Sequence, residues 1–235
     1  MDCVTMSEAL DIVDEMVAGR MDPGPVAAVN SEKVIKVLDE SPELLEQLYA
    51  APLLIPDGIG LIWAAHFLNL GKMQRVAGAD LMPAICERAA EKGYSVFLYG
   101  ARPHVNEKAC EELLRRYPGL KIAGRRDGYV PEDQTPGPVE QINASGADIL
   151  FLALGSPRQE NWISAYFPDL NVKVCQGVGG TFDVLAGELR RAPAFWRAVH
   201  LEWAYRSLTQ PSRLAGQKRL VQFVWRVIKD KFRGR

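Results

Sequence analysis

The sequence predicts an α/β fold built on a parallel, doubly wound sheet, from three observations. Short apolar runs alternate with amphipathic segments along the chain. The strongest run, residues 147–154, is apolar at nearly every position rather than at alternate ones, as a strand covered on both faces requires. The runs close on Gly, Asn or Asp, residues that lead a chain out of a strand.

The elements follow in order. Thr5 and Glu8 fit a capping box ahead of Ala9, Leu10, Val13, Met16 and Val17, which recur at helical spacing. Val26 to Val29 is a short strand ending at Asn30, followed by a helix with Val34, Val37 and Leu38. Ser41 and Pro42 fit a cap and a first helical position. Leu53 to Pro56 is a strand that stops at Asp57 and Gly58. Residues 80–92 form a helix closed by Gly93. Residues 95–99 are a strand, and Gly100 leads into a helix containing Leu113 and Leu114. Residues 120–123, 147–154 and 172–175 complete the strands, closed by Gly124, Gly155 and Gly177. A loop with three prolines is expected over residues 131–138.

Of the 235 residues, 48% are apolar and 24% charged, which excludes a disordered chain. No apolar run reaches the roughly 18 residues of a membrane span, and the acidic, amphipathic start is unlike a secretory signal. The four cysteines form no CxxC and the three histidines no HxxxH, so a structural zinc site is not expected and free thiols are. The net charge of −1 hides an asymmetry: residues 196–235 carry ten Lys/Arg against two acids, and residues 1–195 carry 18 against 27. A basic tail on an acidic body suits an anionic partner.

Ligands of open parallel sheets bind beyond the carboxyl ends of the strands. Gly177, Gly179 and Gly180 stand there, ahead of a helix. Such a turn either lets backbone amides approach a phosphate or allows close strand–helix packing. The spacing is GxGG rather than GxGxxG, and no GKS or GKT is present, so neither a dinucleotide fingerprint nor a P-loop is expected. Asp57 can be read as the cap of a helix beginning near Ile59 or as a general base in a cleft. Arg75 reads as a surface charge or an anion clamp, Gln159 and Glu160 as a polar helix start or pocket groups, and Asp183 as a first-turn acid or a pocket group.

Residues 219–233 give a clear helical wheel. Leu220, Phe223, Val224, Val227 and Ile228 form one apolar stripe, widened by Val221, Trp225 and Phe232. Arg219, Gln222, Arg226, Lys229 and Arg233 line the other face. A basic amphipathic helix with Trp and Phe is suited to lie on an anionic membrane, with Lys218, Arg219, Phe223, Trp225, Arg226 and Lys229 as the contact residues. The alternative is a helix that packs on its own core or on another subunit, with its basic face in water. No nucleic-acid motif accompanies the charge.

Taken together, VNSEKV at 29–34, PDGIG at 56–60, RVAGAD at 75–80, GRRDGY at 124–129, LGSPRQE at 154–160, GVGGTFD at 177–183, RAP at 191–193 and LEWAYR at 201–206 resemble the WecG/TagA/CpsF family of bacterial glycosyltransferases. The resemblance implies a Rossmann-like core over residues 1–195 and a C-terminal helical, membrane-targeting appendage over 196–235. It implies inverting transfer of an N-acetylmannosamine-type or other hexose from a UDP-sugar to a saccharide on undecaprenyl diphosphate, in surface polysaccharide or teichoic acid synthesis. Asp57 falls on the family's proposed base. Arg75 falls on a motif arginine near the diphosphate or acceptor. Asn30, Tyr129, Gln159, Gly177, Gly179, Gly180 and Asp183 match substrate-pocket positions, and Arg206 and Arg213 match appendage arginines that reach substrate phosphates. Where many members carry a hydroxyl residue before the motif asparagine, this chain has Ala28 and Val29.

No DxD occurs in the chain, so metal-independent transfer without a cofactor is expected. The expected place is the cytoplasmic face of the cell membrane, peripherally bound, with homo-oligomers among the expectations and nucleic acid not. The alternatives are a non-catalytic nucleotide-binding scaffold on the same fold and a nicotinamide-dependent dehydrogenase.

Overall fold

A computed structural model of the chain describes residues 2–41, 43–129, 136–193, 195–196, 203–205 and 214–233. Six strands form one sheet: β1 (Gly24–Val29), β2 (Leu53–Pro56), β3 (Ser95–Gly100), β4 (Lys121–Arg126), β5 (Ile149–Ala153) and β6 (Val174–Gly177). The order across the sheet is β2-β1-β6-β5-β3-β4, and every pairing is parallel. The fold is the α/β Rossmann-like architecture expected. All six predicted strands are present, because a strand buried on both faces leaves a plain apolar signature. Every residue of β5 is buried.

The helices are α1 (Met6–Val17), α2 (Ser31–Asp39), α3 (Glu43–Tyr49), α4 (Ile59–Phe67), α5 (Gly78–Lys92), α6 (Pro103–Arg116), α7 (Pro136–Ser145), α8 (Arg158–Tyr166), α9 (Thr181–Leu185) and α10 (Leu214–Phe232). The predicted capping box opens α1: Glu8 N–H donates to Thr5 Oγ1 at 3.2 Å and Thr5 N–H donates to Glu8 Oε2 at 2.7 Å. Gly93, in the left-handed conformation at φ +79°, closes α5 as expected. Of the expected proline loop over residues 131–138, residues 131–135 lie outside the described residues, and α7 begins at Pro136.

Two cores flank the sheet. One packs α1, α5 and α6 on Val26, Ile55, Leu98, Phe151 and Val174. The other packs Trp162 of α8 and Ile142 of α7 on Phe97, Leu150, Leu152 and Cys175. Asp14, nearly buried on α1, bridges to α5 through Arg88 and Lys92, both at 2.7 Å. A third cluster sets the place of α10. Phe223 and Val227 are buried with Val29, Ile35, Leu61 and Ala64, from β1, α2 and α4.

Three of the expected membrane contacts are engaged with the body of the protein. Phe223 is 5% exposed, so its ring is spent on the body of the protein. Arg219 pairs with Glu40 at 2.8 Å and Glu32 at 3.0 Å, and Arg226 pairs with Asp39 at 2.5 Å. The acidic face of α2 attracts these arginines, and the Phe223 ring lies beside Gly60 at the start of α4, where a side chain would collide with the Ser31 hydroxyl of α2. Lys218, Trp225 and Lys229 remain on the outer side, with Trp225 59% exposed. Among the described residues no helix is long and apolar enough to cross a membrane.

Candidate active site

The chain steps from β1 out to β2 and from β3 out to β4, then returns through β5 to β6 in the middle of the sheet, and residues just beyond the carboxyl ends of β1, β2, β5 and β6 border one crevice. A cleft of about 950 Å³ lies there, a volume suited to a nucleotide-sized ligand. Asn30, Asp57, Gln159, Gly177, Gly179 and Gly180 all line it. The structure therefore brings together six of the residues singled out by sequence.

Each is placed by local chemistry. Asn30 leaves β1 in extended conformation and caps α2, accepting from Lys33 N–H at 2.9 Å. Asp57 follows β2, and its N–H donates to Val29 O at 2.8 Å, which ties the two strand ends together. Asp57 is not the cap of α4. Gly58 holds that position, with no side-chain hydrogen bond. The carboxylate is about one-third exposed on the cleft wall instead. Arg75 reaches it from the segment before α5. Its Nε–H donates to Asp57 O at 2.6 Å, and its second guanidinium nitrogen stands 3.8 Å from Asp57 Oδ1.

The glycine turn is governed by Gln159. Its Oε1 accepts from Gly179 N–H at 3.2 Å, and a Cβ on Gly177 would sit 2.7 Å from its Nε2. A side chain at Gly177 would thus displace the Gln159 amide, and the Gly179 amide is engaged by protein. Gly179 has φ +52°, where glycine is favoured. These facts support the packing alternative at both positions.

Two expected pocket residues lie elsewhere. Asp183 is turned toward Arg102 ahead of α6, with 3.4 Å between Oδ1 and the guanidinium, and does not line the cleft. The opposite charge at Arg102 draws the carboxylate across the α9–α6 contact. Tyr129 is 70% exposed and also outside the lining. Arg206 and Arg213 lie outside the described residues.

The lining also includes Lys33, Glu160 and Arg191, of which the sequence reading singled out only Glu160. Lys33 of α2 and Glu160 of α8 form an ion pair at 3.1 Å, with side chains only 14% and 13% exposed. Arg191 lines the cleft and is bound to Asp80 near the start of α5. All three stood inside the motif stretches VNSEKV, LGSPRQE and RAP, which was the available signal. Among the described residues no group of three or more metal-ligating side chains converges.

The model of the glycosyl transferase WecG/TagA/CpsF family matches residues 1–235, the whole chain. The chain belongs to this family. As a WecG/TagA/CpsF glycosyl transferase it joins a sugar donor to an acceptor, and the cleft at the strand ends is where the Rossmann-like fold places a ligand. Family membership fixes the reaction class, and the geometry above supplies the residues from which a mechanism can be argued.

Proposed function

We propose that the protein transfers a hexose or N-acetylhexosamine from a UDP-sugar to a saccharide carried on a polyprenyl diphosphate, with inversion at the anomeric carbon and without a metal. The observation that carries this reading is the position of Asp57, a carboxylate on the wall of the cleft with Arg75 locked behind it.

In this reading Asp57 takes the proton from the acceptor hydroxyl as that oxygen attacks the anomeric carbon. The bond from that carbon to the diphosphate oxygen breaks, and UDP leaves with the electron pair. The leaving group gains negative charge. The first turn of α5, whose Gly78 and Ala79 line the cleft, and the guanidinium of Arg191 lie where they can stabilise it. Gln159 and Asn30 border the same space and position sugar hydroxyls. Arg206 and Arg213 belong to this proposal as phosphate-binding groups brought in from the C-terminal segment. The chain contains no DxD, which supports metal-independent transfer.

A lipid-linked acceptor also accounts for the basic C-terminal segment. In this proposal α10 holds the protein on the inner face of the cell membrane, within reach of its acceptor.

The test is UDP release over a panel of UDP-sugars, with a short-chain lipid-diphosphate-linked N-acetylglucosamine or glucose acceptor. Acceptor-dependent release with one donor supports the proposal and names the sugar. No release with any pair, from protein that binds UDP, favours the scaffold alternative.

A further inference from the structure

The wheel of α10 carries two apolar stripes, and the body covers one of them. Phe223 and Val227 face inward. Val221, Trp225, Ile228 and Phe232 recur at spacings of four, three and four residues, so they share a second stripe, and all four are exposed, Phe232 by 80%. This stripe does not end at the edge of the helix. Lys231 Nζ lies 5.5 Å from the centroid of the Phe67 ring on α4, and Phe67 stacks on Trp63 with centroids 5.2 Å apart. Trp63 is itself exposed, as is Leu70 just beyond α4. Lys231 stands three residues after Ile228 and one before Phe232, so its contact with Phe67 brings the ring pair of α4 beside the outer stripe of α10.

The charges around these side chains are mostly positive. Lys218, Lys229, Lys231 and Arg233 stand on α10 or at its end, with Asp230 as the single acid of residues 214–233. Lys72 follows Leu70, and residues 58–79 contain no Asp or Glu. Lys229 Nζ lies 4.5 Å over the Trp225 ring, an amphipathic pair suited to a water–lipid boundary. A second copy meeting this face about a two-fold axis would set its lysines against their own images, which disfavours self-association.

We propose that the exposed side of α4, with Trp63 and Leu70, and the outer stripe of α10 form one surface that docks on an anionic lipid headgroup layer. The proposal rests on the membrane reading above and deepens it: part of the catalytic core touches the bilayer, and the inner stripe of α10 does not. Its consequence is orientation. Trp63 lies four residues beyond Ile59, about 6 Å along the axis of α4, and Asp57 stands two residues before that helix. Lipid contact at Trp63 therefore fixes the cleft close to the membrane surface.

The experiment is co-sedimentation of the full chain with phosphatidylcholine vesicles, with and without phosphatidylglycerol. Trp63→Glu, Leu70→Glu and Trp225→Glu are compared with Leu114→Glu, an exposed residue of α6, which packs on β3 and β4 at the sheet edge opposite β2 and α4. The wild type should bind only the anionic vesicles, and each of the first three variants should lower partitioning by about tenfold or more. Leu114→Glu should bind as the wild type does. Leu70→Glu, in a loop, keeps the test open where Trp63→Glu disturbs the Phe67 stack. If Trp225→Glu loses binding while Trp63→Glu and Leu70→Glu keep it, the composite surface is wrong and membrane docking by α10 stands. If neither the wild type nor any variant binds vesicles, the membrane reading itself falls. Dimers that these variants dissolve, with no vesicle binding, would assign the face to a second copy.

Discussion

Arg75 and Asp57 form a single unit. The Nε–H of Arg75 donates to the backbone carbonyl of Asp57 at 2.6 Å, and the same guanidinium flanks the Asp57 carboxylate at 3.8 Å. The arginine holds the strand-end loop as well as the acid on it. Arg75→Ala should therefore lower kcat about 100-fold, the scale of a lost positioning contact, with a smaller change in UDP affinity. Arg75→Lys should recover little of this, because a lysine cannot make both contacts in the planar geometry of the guanidinium. Steady-state kinetics beside UDP titration calorimetry separate the two effects. Wild-type kcat in Arg75→Ala would show that the contact is incidental.

Gln159 and the glycine turn give a packing prediction. In Gly177→Ala the new methyl would lie 2.7 Å from Gln159 Nε2, so the amide must move and release the Gly179 N–H. The expected cost in stability is about 1 kcal/mol, the net worth of one hydrogen bond, because a glutamine side chain can shift. Donor binding should weaken by more than that, since Gln159 lines the cleft. Thermal melts and UDP-sugar titration read the two losses separately, and unchanged donor affinity would remove Gln159 from the site.

Docking of α10 is tested through its buried ring. Phe223→Ala should cost about 3 kcal/mol, felt mainly in the attachment of α10 rather than in the sheet. Hydrogen exchange in residues 214–232 should accelerate while that in β5 stays slow. Equal protection in both proteins would mean that the ring contributes nothing to the attachment.

The ion pairs of α10 predict a pH response. Hydrogen bonding to Arg219 holds the Glu40 carboxyl below its ordinary value of 4.5. A lowered folded value means that the pair stabilises docking above the ordinary glutamate range, and that the contribution is lost as pH falls through the folded value. Glu40 is exposed, so the effect is modest and salt weakens it. Protection factors in α10, corrected for intrinsic exchange, should be flat from pH 8 to about pH 5 and then fall. Glu40→Gln should remove that step.

Much of this molecule was legible in the sequence. The six strands were, because apolar runs bounded by Gly, Asn and Asp have few other meanings in an α/β chain. Six cleft residues were as well, because strand ends in an open parallel sheet converge whatever the helices do. The partners of side chains were not legible. The wheel of residues 219–233 gave Phe223 and Arg219 their faces, but not the groove of α2 and α4 or the acids Glu32, Asp39 and Glu40 that receive them. For the same reason the Lys33–Glu160 pair was invisible, and Asp183 was expected in the cleft although Arg102 claims it.

The most direct test of the account compares wild type with Asp57→Asn in acceptor-dependent UDP release, using the donor found in the panel. Asparagine fills the same volume and cannot take the proton. The account predicts that turnover falls by 10²- to 10⁴-fold, roughly the contribution of general-base catalysis, while UDP binds as before. Near-normal turnover in Asp57→Asn would contradict it and move the base to another residue of the cleft.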